Sequence, residues 1–244
     1  MEHEEYTAEN YPSFGKKYNG EKAIISLTSW KARINTVSKT LFSLIQQCPG
    51  FHIVLVLSEE EFPKMCEELP ENLMLFVENE MIELLWVYKN YKSFKKVLFT
   101  MDKYRDVPVI SADDDCIYTC NYAQELYDKW LKNKDCIISQ SKLLNGKDYK
   151  IFGSGWGVIF PNILNKIKVK INDIKFNLLS GSNDDLFYCL IAKLSNIKII
   201  SLNKQKLEDI MIYTGKTDTS LSKTGQHNDN VQYDEYYSFI KLLI

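Results

Sequence analysis

The chain has 244 residues, of which 45% are hydrophobic and 25% charged, with a formal net charge of -2. That composition is ordinary for a globular protein and long enough for one substantial core. The charge balance argues against a general nucleic-acid binder, which needs a clustered basic surface, and no apolar run reaches the length of a membrane span.

The opening MEHEEYTAEN is acidic and polar, the opposite of a secretory n-region, and residues 1–21 show little periodicity. AIISLT (23–28) reads as a buried strand, followed by the turn-like SWKARIN. TVSKTLFSLIQQ places Val37, Leu41, Leu44 and Ile45 at helical spacing, and CPG (48–50) stops that helix. FHIVLVLS (51–58) is a second apolar strand. Ser58 and Glu61 have capping-box spacing and predict a short helix, while LMLFV (73–77) and LLWV (84–87) predict further short strands. KSFKKVLFTMDKY (92–104) is helical, with Phe94, Val97, Leu98 and Met101 on one face. VPVISA (107–112) is a strand, YAQELYDKWLKN (122–133) a helix and CIISQ (136–140) a strand. This alternation is the signature of a mostly parallel α/β sheet, which binds ligands at the carboxyl ends of its strands.

Beyond residue 150 the pattern loosens. GSGWGVIFP (153–161) sets three glycines around Trp156, which implies a sharp turn or a close backbone approach. GSNDDLFYCLIAKLSN (181–196) opens on polar residues and continues as a helix, IKIISL (197–202) is a strand, and the polar tail reads as loop before a short terminal helix. The six cysteines (Cys48, Cys66, Cys116, Cys120, Cys136, Cys189) form no CxxC pair, and no histidine lies near the Cys116–Cys120 spacing. Free thiols in a reducing compartment are therefore expected, and the cytoplasm is the expected location.

Three consecutive aspartates, Asp113, Asp114 and Asp115, end the strand at 107–112, where mutual repulsion must be offset or solvated. Asp113 and Asp115 are one residue apart, so on extended backbone their carboxylates point the same way. Two such oxygen donors suit Mg2+ or Mn2+ bridging a phosphate. A solvated acidic turn is the competing reading, and the preceding strand tips the balance towards a site.

SLTSWKARI, YKSFKKVLFTMDKY and VISADDDCIY, in that order and spacing, resemble the nucleotide-sugar-dependent glycosyltransferases of the GT-A fold. They are most similar to family-2-like bacterial enzymes that build capsule or lipopolysaccharide. Those enzymes carry an S-L-T-S-W/F-x-x-R segment, a K-S-[YF]-K-K helix start and a T-x-D-D-D strand end. The resemblance runs from about Ala23 to Ile200. It implies a GT-A (Rossmann-like), mostly parallel central sheet flanked by helices, with a less regular C-terminal acceptor region. Residues 1–244 would form a single domain, with a nucleotide-sugar-binding half at 23–120 and an acceptor-binding half at 121–244.

The resemblance also implies roles. Asp113 and Asp115 would hold a divalent cation, Mn2+ or Mg2+, against the donor pyrophosphate, and Asp114 would point into the sheet or towards the donor ribose. Thr28, Ser29 and Arg33 would contact the nucleotide, and Lys92 and Lys95 would sit near base, ribose or phosphate. A solvated helix face competes for all three lysines and is preferred for Lys96. Asp184 and Asp185 complement a helix N-terminus, but in the resembling family such a pair faces the acceptor and supplies a general base, here Asp185 ahead of Asp184. Trp156 and Gly155 would border the acceptor sugar, and His227 would be a third metal ligand.

Two departures stand out: Thr119-Cys120 where the family often has proline, and Asn90-Tyr91 where a base-contacting aspartate is expected. The implied partners are a nucleotide sugar, most simply a UDP-sugar, and a saccharide or lipid-linked acceptor in surface polysaccharide synthesis, with inversion favoured. Docking at the inner face of a membrane is compatible with such an acceptor. Two rival readings stand beside it: a metal-dependent nucleotidyltransferase or phosphohydrolase that uses the same metal site, and a non-catalytic carbohydrate- or partner-binding α/β domain in which Asp113→Asn would leave binding intact.

Overall fold

The computed structural model describes residues 10–145, 150–163, 165, 183–204, 206–214, 234, 236–238 and 240–241. In chain order the elements are β1 (Ser13–Gly15), β2 (Ala23–Thr28), α1 (Val37–Ile45), β3 (Phe51–Ser58), α2 (Glu71–Glu78), β4 (Glu83–Val87), α3 (Lys95–Lys103), β5 (Val109–Ser111), β6 (Cys116–Tyr118), α4 (Tyr122–Leu131) and β7 (Ile137–Ser141). They continue with β8 (Leu144–Asn145), β9 (Lys150–Ile151), β10 (Val158–Phe160), α5 (Asp184–Leu194), β11 (Ile199–Lys204) and β12 (Met211–Tyr213).

Eight strands form one sheet in the order β1-β4-β3-β2-β5-β10-β7-β11. β2, β3, β4 and β5 pair in parallel, as do β7 and β11, while β1 and β10 run against their neighbours. The sheet is mostly parallel and flanked by helices, as the strand–helix alternation predicts. β6 and β12 pair antiparallel beside it, as do β8 and β9.

Every residue of β3 is buried. A strand covered on both faces reads as a continuous apolar run, which is why FHIVLVLS is legible as a strand. The period of two then sorts its side chains. Val54 and Val56 join Val97, Leu98 and Met101 of α3 and Phe187 and Leu190 of α5 on one face. Leu55 and Leu57 join Val37 and Leu41 of α1, Leu73 and Val77 of α2, and Ala123 and Leu126 of α4 on the other.

Three local expectations need correction. LMLFV lies in helix α2, not in a strand: Pro70 precedes its first turn, and Leu73 and Val77, four residues apart, are its buried pair. No helix follows Ser58 directly. Its hydroxyl donates to Glu61 Oε2 at 3.0 Å, but residues 59–61 form a turn, and the 3-10 helix comes later at Met65–Glu68. GVIF and MIY, unread as strands, supply β10 and β12. All six cysteines are free. Among the described residues, no helix is long and apolar enough to cross a membrane.

At the amino-terminal edge of the sheet, buried Glu83 of β4 accepts from Lys103 Nζ at 2.6 Å and from Tyr104, and lies 2.6 Å from His52 Nε2 of β3. Burial alone would raise the Glu83 carboxyl, but these partners outweigh it and hold the group below its ordinary value of 4.5. A carboxylate depressed in the fold stabilises above its unfolded value, and that stability is lost as pH falls through the folded one. Glu83→Gln should therefore unfold at lower urea concentration than the wild type at pH 7. The gap should close as pH drops below about 4.5; equal urea midpoints at pH 7 would contradict this.

Candidate active site at the carboxyl edge of the sheet

β2 and β5 lie side by side in parallel, so the loops leaving their carboxyl ends meet. The first loop carries Ser29 and Arg33 and the second carries the three aspartates. Residues 114–115 form a turn rather than extended backbone, so the alternation expected of the three aspartates does not hold there, and Asp114 faces inward at 5% exposure. Its carboxylate accepts from Ser29 Oγ at 2.6 Å and from Arg33 Nη1 at 2.7 Å, and its carbonyl accepts from Thr40 Oγ1 at 3.0 Å. Arg33 Nη1 also stands 3.1 Å from Asp115 Oδ2. Burial raises the Asp114 pKa, with Arg33 and Ser29 pulling it back. Asp115 is raised by burial and then by the neighbouring charge of Asp113, against the opposing pull of Arg33.

Asp113 turns the other way. Its amide donates to the Tyr118 hydroxyl at 2.7 Å, and that hydroxyl donates to the Gly155 carbonyl at 3.0 Å. The Asp113 carboxylate lies so close over Gly155 that a Cβ there would stand 1.9 Å from Oδ2. A side chain at position 155 would push the Asp113 carboxylate aside, so Gly155 forms the floor under Asp113.

The second acidic pair opens α5. Asn183 caps that helix, accepting from Leu186 N at 3.1 Å. Asp184 is buried at 6% exposure, whereas Asp185 is half-buried. Between the motifs stands Lys96. Its Nζ donates to Asp113 Oδ1 at 2.8 Å and lies 3.3 Å from Asp184 Oδ2, an ion pair without hydrogen-bond geometry. The expectation of a solvated face for Lys96 is wrong, since only 4% of the residue is exposed. Burial would lower its pKa, but Asp113, Asp184 and Asp185 together hold it well above the ordinary lysine value.

The other candidate residues fall around this centre. Lys95 is also buried, with Nζ on Glu61 Oε2 at 2.7 Å and Asn90 Oδ1 at 2.8 Å; burial lowers its pKa against the opposing pull of Glu61. Lys92 is exposed, at the start of the turn that precedes α3. The Thr28 hydroxyl donates to the Val56 carbonyl at 2.7 Å. Trp156 is half-buried and packs at the margin of the α1–α2–α4 core. His227 lies outside the described residues.

Five carboxylates (Asp113, Asp114, Asp115, Asp184, Asp185) gather here around two cations, Arg33 and Lys96. The excess negative charge and the hard oxygen donors of Asp113 and Asp115 fit a divalent cation such as Mg2+ or Mn2+. Among the described residues no group of three or more His, Cys, Asp or Glu side chains forms a cage. A cation here would draw its remaining ligands from substrate phosphate and water, the habit of Mg2+.

No family model and no curated protein matches the sequence. Solved structures do. The structure of Staphylococcus aureus TarS residues 1–349 in complex with UDP-GlcNAc superposes with a TM-score of 0.56 at 14% identity, covering 90% of this chain and 66% of that one. The fold is shared. The same TarS segment in complex with UDP gives 0.51 at 13% identity, over 78% of this chain and 59% of that one. A longer TarS structure gives 0.52 at 13% identity, over 80% of this chain but only 37% of its own length. This chain thus spans little more than a third of that longer TarS chain.

A groove of about 660 Å³ lies elsewhere, lined by Phe42, Leu75, Phe76, Ile117 and Cys120 among others. Its walls are largely apolar and Lys39 is their one ionisable group apart from Cys120 and Tyr118. It offers no carboxylate for acid–base or cation chemistry.

Proposed function

We propose that this chain is a metal-dependent glycosyltransferase of the GT-A type that moves a sugar from a nucleotide donor, a UDP-sugar, to a saccharide or lipid-linked acceptor. The observation that carries this reading is the convergence of Asp113–Asp115 and Asp184–Asp185, distant in sequence, on one lysine at the carboxyl edge of a parallel sheet. The fold shared with a protein solved with UDP-GlcNAc and with UDP supports the choice of donor. The whole described chain acts as one domain in this reading, with the donor on the β2–β5 side and the acceptor towards α5. A lipid-linked acceptor would bring the enzyme to a membrane surface for surface polysaccharide synthesis.

Asp113 and Asp115 would hold the cation, which supplies neutralisation of the charge that gathers on the departing nucleoside diphosphate. Arg33 and Ser29 act one step back: by fixing Asp114 they fix the turn that presents Asp113 and Asp115. Asp185, more open than Asp184, takes the proton from the acceptor hydroxyl as that oxygen bonds to the anomeric carbon and the bond from that carbon to the diphosphate oxygen breaks. One such displacement inverts the anomeric centre.

Calorimetric titration with UDP, GDP and CDP, each with Mn2+ and with EDTA, tests the reading. UDP should bind only with Mn2+, and Asp115→Asn should weaken that binding by at least about tenfold, equivalent to roughly 1.4 kcal/mol. No nucleotide binding under either condition would overturn it.

A further inference from the structure

The two lysines that open α3 are placed against the helix dipole, whose positive end disfavours cations. No acidic residue in that first turn compensates them. Lys95 is offset by Glu61, close to its own helix in the fold. Lys96 is offset by two carboxylates that belong to different parts of the proposed reaction: Asp113 on the donor side and Asp184 at the head of α5.

The main chain of Lys96 is rigidly held. Its carbonyl accepts from the Ser26 hydroxyl of β2, which also lies 2.7 Å from Thr100 Oγ1. Two residues earlier, Phe94 meets Phe187 of α5 edge-on, with ring centroids 5.4 Å apart. The contact between α3 and α5 therefore runs from an apolar pair into the Lys96–Asp184 ion pair, and ends on Asp113. A side chain on a rigid element, with its charge shared between two motifs, can set their spacing.

We propose that Lys96 is a positioning residue that couples the two acidic motifs, holding the head of α5 against the aspartate turn and competing with a divalent cation for the Asp113 carboxylate. This inference rests on the glycosyltransferase reading above. The competition follows from charge: the ammonium and a divalent cation address the same carboxylate, so each weakens the hold of the other. The positioning role follows from geometry, because Asp185 is the immediate neighbour of the residue that Lys96 holds.

The test uses the full chain and two readouts. Mn2+ binding to the nucleotide-free protein is followed by the electron paramagnetic resonance signal of free Mn2+, and transfer from a UDP-sugar is measured at saturating donor. Lys96→Met should bind Mn2+ about tenfold more tightly, since a competing charge is gone. Its kcat should fall by about a hundredfold with little change in donor KM, the pattern of lost orientation rather than lost binding. Lys96→Arg, which keeps the charge, should recover most of both. If Lys96→Met leaves Asp184 stranded and does not fold, Lys96→Gln keeps two amide donors and should show the same two changes. A folded neutral variant with wild-type Mn2+ affinity, or with wild-type kcat, overturns the inference. A wild type that binds UDP with Mn2+ and transfers sugar while its Lys96 variants behave normally leaves the proposed function standing. A wild type that binds no nucleotide removes that function instead.

Discussion

Asp185→Asn should lower kcat for sugar transfer by about a thousandfold while leaving metal-dependent UDP affinity within about twofold, because general-base catalysis contributes roughly 10²–10⁴ to rate. The assignment within the pair follows from burial. Asp184 is enclosed and faces Lys96, so its carboxylate already serves the structure. Asp185 stands beside it, half-buried, at the same helix head. The amide of asparagine keeps the shape and the favourable helix N-terminal position but accepts no proton. Steady-state rates with saturating UDP-sugar, set beside calorimetry with UDP and Mn2+, separate the two effects. A variant that retains the wild-type rate would move the base elsewhere.

Arg33→Met should cost about 3 kcal/mol of folding stability, the scale on which removing one partner of a buried ion pair strands the other. Arg33 Nη1 holds Asp114 at 2.7 Å and Asp115 at 3.1 Å, and Asp114 has only 5% of its surface in water. Ser29 alone would then satisfy a carboxylate whose pKa burial already pushes upward. Urea denaturation at pH 7 measures the loss. A midpoint equal to that of the wild type would mean that Arg33 is not needed to hold the aspartate turn and would favour a direct contact with the nucleotide, the role that the family resemblance implies.

The two cases show which parts of the sequence are legible. AIISLT and FHIVLVLS read correctly to the residue because β2 and β3 are covered on both faces, and such strands are nearly continuous apolar runs. LMLFV misleads for the same reason: five apolar residues in a row carry no period, and Pro70 as the residue before a first turn was the signal that favours a helix. β10 escapes because GSGWGVIF announces a turn, and nothing local shows that three residues after it enter the sheet antiparallel between β5 and β7.

At the site, the aspartates are visible from the strand end they occupy, whereas their partners are not. The resemblance implies Gly155 beside an acceptor, and its contact with Asp113 depends on a chain reversal that no motif encodes. Lys96 reads as solvated in the sequence because helical lysines usually are. The overlooked signal is polarity: two lysines at a helix N-terminus with no acid in the turn sit against the helix dipole, a placement that carboxylates from elsewhere in the chain offset.

In the proposed reaction the two acidic motifs make one catalytic centre. The most direct measurement is diffraction from crystals of the full chain soaked with UDP and Mn2+, with the metal located by its anomalous signal. The expected result is one strong peak within coordination distance of the Asp113 and Asp115 carboxylates, the diphosphate of UDP on that metal, and Asp185 facing the open side. Manganese or nucleotide bound away from these aspartates, as in the apolar groove between α1 and α2, would contradict it.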